Sequence, residues 1–209
     1  MKITKIEIQK NNKQRVNLFL DDEFSCGLSV ETILRFRLKE GQEINGIELE
    51  NLKSQTEREV ALNKATNYIS KSQKSQEEVK KYLKKKGFED DIIEFVINKL
   101  LDYHFVDDND YAKNYIKSKT SKNGKIKLKF CLKQKGVSEE IINNCIEEYS
   151  KDTISVYDVA NKYLKNKELN KETKQKAYRY LSSRGYSSED ILSCLNKIFK
   201  GCEENENGY

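Results

Sequence analysis

The sequence predicts a mainly all-α protein: a tandem array of three three-helix repeats, preceded by a small N-terminal extension that contains a β-hairpin. The pattern Leu-x3-Gly occurs three times, and its glycines, Gly87, Gly136 and Gly185, follow one another at intervals of 49 residues. Such a fixed period is typical of repeat architectures. The chain contains no proline, which is consistent with uninterrupted helices. Only the N-terminal residues alternate between apolar and polar with period two, as half-buried strands do.

Residues 1–45 form the extension. The segments ITKIEIQ and RVNLFL alternate, and KNNKQ between them is typical of a turn, so together they predict a hairpin. The segment DDEFSCGLS predicts a second turn and a short third strand. Ser29 is placed to cap a short helix that runs through Arg37 and is stopped by Gly41.

A long helix leads the first repeat. Asn45 and Glu48 have the spacing of a capping box. The apolar residues that follow lie largely on one stripe, so we expect this helix to continue to about Ser72.

Alignment on the three glycines, called here the hinge glycines, gives every repeat the same plan. The first helix carries Ala and Tyr three residues apart, the second ends at the glycine as a left-handed C-cap, and the third has an apolar stripe. Leucines stand four residues before the hinge glycines and bases directly before them: Leu83, Leu132 and Leu181, then Lys86, Lys135 and Arg184. The expected stripe residues are Ile93, Val96, Ile97 and Leu100, then Ile142, Cys145, Ile146 and Tyr149, then Ile191, Cys194, Leu195 and Ile198.

Helix caps mark the expected boundaries. Side chains of the capping type precede apolar runs in each repeat: Ser75 with Glu78, Asp107 with Asp110, and Ser187 with Asp190. We therefore divide the chain into the extension at 1–45, repeats at 46–104, 105–152 and 153–200, and a disordered tail at 201–209.

Composition excludes several classes of protein. With 36% hydrophobic and 35% charged residues, the chain has no apolar run of membrane-spanning length and no apolar signal core. The five cysteines form no C-x-x-C pair, and we expect reduced thiols in a cytoplasmic, monomeric protein.

Bases are concentrated in the first two helices of each repeat. Residues 111–137 contain nine lysines and no acid, whereas third helices begin with acids. Such a surface suits nucleic-acid phosphate or an acidic protein, although an ordinary solvated face remains the alternative. The candidate partner-binding residues are Lys71, Lys74, Lys113, Lys117, Lys119, Lys122, Lys125, Lys127, Lys129, Lys133, Lys135, Arg179, Arg184 and Tyr111.

The sequence does not indicate an enzyme. The single histidine, His104, lies at the end of an apolar helix and is expected to be a core or cap residue. No phosphate-binding loop, dinucleotide fingerprint, metal-ligand spacing or nucleophile elbow is present. The VDDND segment resembles half of an acidic metal site, but capping by Asp107 or Asp108 explains it with fewer assumptions. We expect no catalytic residues, no cofactor and no metal.

The order and spacing of these motifs resemble the RecX family of regulatory proteins over residues 60–200. The resemblance rests on ALNKATNYISKSQKSQEEVKKYLKKKGF, VDDNDYAKNYIKSK and GKIKLKFCLKQKGVSEEIINNCI. It implies that the protein regulates the RecA recombinase filament on single-stranded DNA, generally by inhibiting filament growth, ATP hydrolysis and strand exchange. DNA recombination, repair and the SOS response would be its setting.

The resemblance also assigns positions. Asp107, Asp108, Tyr111 and Lys119 occupy recognisable family positions, and Lys74 and Lys119 stand where many members have arginine. An ammonium cannot make the two-pronged contact of a guanidinium. The resemblance therefore does not assign to Lys74 and Lys119 the specific ion pairs that arginine could form at these positions.

Two other functions remain open at the sequence level. One is a direct DNA-binding protein whose helix-turn-helix-like modules follow a duplex, and the other is a repeat scaffold for an unrelated acidic protein. Acidic starts of the third helices argue against insertion of those helices into a major groove.

Overall fold

The computed structural model describes residues 1–149 and 156–203, and of Tyr149 and residues 201–203 it describes the backbone only. Three strands and ten helices occur in these residues. In chain order they are β1 (Ile3–Gln9), β2 (Asn12–Leu20), β3 (Glu23–Ser29), α1 (Val30–Phe36), α2 (Gly46–Ile69), α3 (Gln76–Lys85), α4 (Asp90–Asp102), α5 (Asp108–Lys119), α6 (Lys125–Gln134), α7 (Glu139–Tyr149), α8 (Val156–Leu164), α9 (Lys171–Ser183) and α10 (Ser188–Glu203). The predicted fold class is confirmed. None of these helices is long and apolar enough to cross a membrane.

The N-terminal extension is an antiparallel sheet in the order β1-β2-β3, so both the predicted hairpin and the predicted third strand are present. Alternate residues of β2 turn to a buried face, as period-two patterning requires. Their core includes α1, the segment after it and the first half of α2. It contains Ile3, Val16, Leu18, Leu20, Leu28, Leu38, Ile44, Leu49 and Leu52.

A buried polar cluster joins α1 to α2. Glu59 of α2 is only 7% exposed. Its carboxylate accepts hydrogen bonds from the hydroxyls of Ser29 and Thr32 and from the Gln55 amide. Ser29 also caps α1 by accepting from the backbone N–H of Thr32. Because an unsatisfied buried carboxylate would be destabilising, these partners fix the position of α1 on α2.

Two compact units make up the described chain. The first contains Met1–Gln73 and Val79–Phe105, and the second contains Lys74–Glu78 and the residues from Val106 onward. The first turn of α3 therefore belongs with the second unit, whereas the remainder of α3 belongs with the first.

Inside each repeat the structure follows the predicted plan. All three hinge glycines have left-handed backbone, with φ between +78° and +85°. The leucines four residues before them are fully buried. The capping box at Asn45 and the caps at Ser75, Asp107 and Ser187 are present as predicted.

Several boundaries differ from the sequence prediction. Helix α1 is ended by Arg37, which adopts the left-handed conformation (φ 50°), before Gly41 is reached. In α10 Phe199 is buried and Ile198 only partly so, which shifts the end of that stripe by one residue. Of the two roles expected for His104, the structure supports the cap and not the core: the residue is exposed and left-handed just after α4, and its backbone N–H donates to the Leu101 carbonyl at 2.9 Å.

The C-terminal boundary also differs. Helix α10 continues to Glu203, past the expected start of the tail at 201. The rest of the expected disordered tail, residues 204–209, lies outside the described residues, as does the side chain of the stripe residue Tyr149.

Within the second unit, the hinge of the third repeat lies against the start of α6. The backbone N–H groups of Gly124 and Ile126 donate to the carbonyls of Arg184 (2.8 Å) and Gly185 (3.1 Å). The Lys127 ammonium donates to the Ser183 carbonyl at 3.0 Å. Main-chain carbonyls thus satisfy donors that no side chain caps at Gly124.

The hinge of the second repeat makes the corresponding contact with the first turn of α3. The Ser75 hydroxyl donates to the Lys135 carbonyl, and the next residue after Lys135 is Gly136. A Cβ on Gly136 would lie 2.2 Å from the Cβ of Glu77, so only glycine fits. The same contact therefore recurs at two hinges, each against the start of a second helix.

Helix α9 begins differently from the other second helices. It starts 14 residues before its hinge glycine, whereas α3 and α6 start 11 residues before theirs. The additional turn is capped by Asn170, whose side chain accepts from the backbone N–H of Thr173.

Substitution of the hinge glycines should separate conformational strain from steric conflict. A Cβ at Gly185 would lie 2.4 Å from the Lys127 backbone nitrogen, whereas nothing lies within 4 Å of one at Gly87. Gly87→Ala should lower the free energy of unfolding by about 1 kcal/mol, for the left-handed backbone alone. Gly185→Ala should lower it by ~2 kcal/mol or more, because rigid backbone must also move.

Urea unfolding followed by circular dichroism measures both changes. Equal losses for the two variants would show that close packing at the Gly185 hinge contributes nothing to stability.

Candidate functional site

The lysines of residues 111–137 fall into two groups. Five have internal partners, mostly on the other helices of the second unit. Lys113 pairs with Glu148 (3.2 Å), Lys133 with Glu139 (3.7 Å) and Lys135 with Glu78 (2.7 Å), while Lys129 donates to the Asn143 side chain (2.8 Å) and Lys127 to the Ser183 carbonyl. The acids at the start and end of α7 therefore neutralise part of the charge that the sequence suggested was uncompensated.

The other group comprises Lys117, Lys119, Lys122 and Lys125, called here the loop lysines. They lie at the end of α5, in the loop after it and at the first residue of α6, and all four side chains are exposed. Within the described residues none of these four ammonium groups has a hydrogen-bond or ion-pair partner. Four unpaired ammonium groups within nine residues form the strongest uncompensated positive charge of this segment.

Helix α6 is unusual in the charge at its N-terminus. Every other described helix has an acid in its first turn, whereas α6 has Lys125 and Lys127 and none. The N-terminus of a helix carries partial positive charge, so each lysine there is destabilising by roughly 0.3–1 kcal/mol. A negatively charged partner would relieve this repulsion.

Tyr111 and Lys135 form a largely internal network with Glu78. Tyr111 is 6% exposed, and its hydroxyl interacts with both charged side chains. Burial raises the pKa of Tyr111. Burial alone would lower the pKa of Lys135, but its hydrogen bonds to Glu78 and Tyr111 outweigh that and raise it. These two predicted partner-binding residues thus have a structural role in the free protein.

The acidic pair at the start of α5, Asp107 and Asp108, caps two helices. Asp107 caps α5 itself, accepting from the backbone N–H groups of Asn109 (2.7 Å) and Asp110 (3.2 Å). Asp108 is only 8% exposed and accepts from the backbone N–H of Gln76, at the start of α3, at 2.9 Å. The second contact joins residues 32 positions apart, and local capping rules do not reveal it.

The remaining predicted residues are not all brought to one place. Arg184 stacks on Tyr180, with its guanidinium carbon 5.1 Å from the ring centroid, and Tyr180 stacks in turn on Tyr163. Arg179 is exposed on the same helix. Lys74 belongs to the second unit and has internal interactions, whereas the exposed Lys71 belongs to the first.

Sequence reasoning missed one feature of this surface. Ile126 and Phe130 of α6 are exposed, although both are apolar. Their separation of four residues was visible in the sequence, and so was their alternation with Leu128 and Leu132, the two leucines that the structure buries. The lysines around them drew attention to charge alone.

Comparison with known proteins identifies four matching families along the chain. Residues 1–45 match the family described as "Regulatory protein RecX N-terminal domain". Residues 61–100, 107–146 and 155–195 match the first, second and third three-helix domains of RecX, respectively.

Individual relatives agree with these matches. A "Regulatory protein RecX" of Clostridium tetani is 38% identical over 204 residues, which is 94% of each chain. That of Clostridium beijerinckii is 38% identical over 205 residues, covering 94% of this chain and 95% of the relative.

Two crystal structures share the fold. One of regulatory protein RecX has a TM-score of 0.71 at 23% identity, covering 96% of this chain and 98% of that one. One of RecX from Lactobacillus salivarius has a TM-score of 0.58 at 22% identity, covering 69% and 97%.

The Glu78–Lys135 pair should make stability depend on pH. Burial opposes ionisation of Glu78, but hydrogen bonds from Lys135, the Ser75 backbone and Tyr111 lower its pKa below the usual 4.5. The stabilisation is therefore present above pH 4.5 and is lost as the pH falls through the lower folded-state pKa. Glu78→Gln should lower the free energy of unfolding by about 1 kcal/mol at pH 7 and by much less near pH 3.

Urea unfolding at both pH values tests this, with the exposed Glu57→Gln as a control that should show little effect at either. A Glu78→Gln loss that is the same at pH 3 and pH 7 would contradict the assigned ion pair.

Proposed function

The chain belongs to the RecX family of regulatory proteins, and from this premise we propose that it binds the RecA filament on single-stranded DNA and inhibits it. Binding would limit filament growth and thereby reduce ATP hydrolysis and strand exchange. The protein would act without catalysis of its own, in the cytoplasm, during recombination and repair.

The observation that carries this proposal is the group of unpaired loop lysines beside the start of α6. No acid in the described part of the chain neutralises their charge. It adds to the partial positive charge at the N-terminus of α6, a helix that has no acid in its first turn. An anionic surface would gain from both features. Acidic groups on the protein subunits of the filament, or the phosphates of its DNA, would supply such a surface.

Repetition supports binding to a polymer. A chain with three related modules can contact more than one subunit of a periodic partner, and each contact raises the effective concentration of the next. Strong overall binding then does not need a single high-affinity site. The described surface of the second repeat would supply one of these contacts.

The charge of the third helices argues against direct reading of duplex DNA. Helices α4, α7 and α10 have acids in their first turns, at Asp90 and Asp91, at Glu139 and Glu140, and at Glu189 and Asp190. A recognition helix enters the major groove with its N-terminal residues near the bases, and acids there would be repelled by phosphate. Bare DNA therefore serves as the control ligand in the test below.

Removal of the loop lysines should weaken binding to the filament. The variant carries Lys117→Gln, Lys119→Gln, Lys122→Gln and Lys125→Gln. With each charge contributing about 0.5 kcal/mol, the affinity should fall by at least tenfold at ~0.1 M salt. The matched control replaces four other exposed lysines, Lys2, Lys10, Lys13 and Lys39, with glutamine and changes the net charge equally.

The assay adds each protein below stoichiometry to preformed RecA filaments and follows ATP hydrolysis and filament length. The unmodified chain and the control should reduce both, and the loop-lysine variant should do so only at higher concentration. Absence of any effect by the unmodified chain, together with tight salt-sensitive binding to bare duplex, would identify a DNA-binding protein instead.

A further inference from the structure

Helix α6 is apolar on two opposite sides. Leu128 and Leu132 are buried in the core of the second repeat, with at most 3% of their surface exposed. Ile126 and Phe130 are 57% and 60% exposed. Because successive residues of an α-helix are about 100° apart, the second pair lies almost opposite the first and points away from the core.

The fold of the repeat does not require apolar residues at these places. At the same distances from the hinge glycine, the first repeat has Glu77 and Lys81, and the third has Gln175 and Arg179. These polar residues occupy equivalent positions on α3 and α9. The second repeat alone of the three places an aliphatic and an aromatic side chain there, one helical turn apart and therefore adjacent on the surface.

The surroundings of this pair are positively charged. Lys125, Lys129 and Lys133 lie on the same helix, Lys122 lies in the loop three residues before its first residue, and residues 111–137 contain no acid. Lys129 keeps its charge because its partner is the neutral side chain of Asn143. Lys133 makes only a highly exposed ion pair with Glu139, which contributes little to stability.

We propose that Ile126 and Phe130 are the apolar anchor of a docking surface for an acidic polypeptide segment that carries an exposed apolar residue. The basic rim would select the acidic segment, and the two apolar side chains would be desolvated at the centre of the contact, as in other protein interfaces. A nucleic-acid strand fits less well, because an aliphatic side chain offers no stacking surface and phosphate offers no apolar one.

This assignment deepens the proposed function and rests on it. It makes the protein subunits of the filament, and not the DNA, the source of the group that contacts α6. The loop lysines and the apolar pair then have separable roles. Charge steers the encounter and is screened by salt, whereas contact of the apolar pair is insensitive to salt.

The test uses the full chain with Ile126→Ser and Phe130→Ser together. The matched control replaces two other highly exposed apolar residues, Leu34 and Ile47 (71% and 77% exposed), with serine. Binding to preformed RecA filaments and to bare fluorescent single-stranded DNA is measured at ~0.1 M and ~0.4 M salt. Thermal unfolding should be unchanged, because neither exposed side chain contributes to the core.

We expect the α6 variant to bind filaments about tenfold more weakly at both salt concentrations, with binding to bare DNA and the behaviour of the control unchanged.

If the unmodified chain binds filaments and the α6 variant binds equally well, the docking surface is disproved while the proposed function stands. An equal loss on bare DNA would show base stacking by Phe130, and an equal loss in the control would show non-specific apolar binding. Either result overturns the assignment. Failure of the unmodified chain to bind filaments overturns the proposed function and this inference together.

Discussion

The hydrogen bonds between a hinge and the start of a second helix are the constraint on which the repeat arrangement depends. In the second unit the carbonyls of Arg184 and Gly185 accept from Gly124 and Ile126. Such bonds need backbone to approach backbone, and any Cβ at Gly124 or Gly185 would prevent it. Glycine is therefore required at this hinge for two reasons: the backbone is left-handed there, and the neighbouring backbone approaches too closely for a Cβ. Gly87 shows the first requirement alone, since nothing lies near it.

These hinge contacts also explain why α6 can carry its unusual charge. A helix normally gains stability at its N-terminus from a capping side chain and from acids in the first turn. At α6 the Gly185 carbonyl accepts from the free N–H of Ile126, and the Arg184 carbonyl accepts from that of Gly124 just before the helix. These bonds stabilise the start of a helix that has neither a side-chain cap nor an acid in its first turn. Lysines can then occupy the first turn and extend the row of loop lysines. The structure thus allows a basic, partly apolar surface on the helix that a following repeat holds in place.

Internal pairing divides the basic residues by role. Lys135 is held by Glu78 and Tyr111, and Lys113 by Glu148. These bases stabilise packing between helices, and their charge is largely compensated. The loop lysines have no such partners among the described residues. Ile126 and Phe130 follow Lys125 along α6, and both apolar side chains are exposed. A partner that is both acidic and apolar would use all of these features, whereas a purely anionic ligand would leave the apolar pair exposed.

The sequence by itself determined the fold class, the repeat period and most helix limits, because caps, hinge glycines and apolar stripes act within a few residues. Asn45, Asp107 and Ser187 cap their helices as local rules predict. Tertiary structure decided the functions of side chains whose partners are distant in sequence. Asp108 caps a helix 32 residues away, and Lys135 pairs with a carboxylate 57 residues away. The tertiary structure also decided which lysines stay unpaired and which apolar side chains stay exposed. Both depend on where other helices pack, and the spacing of residues along one helix contains no information about that packing.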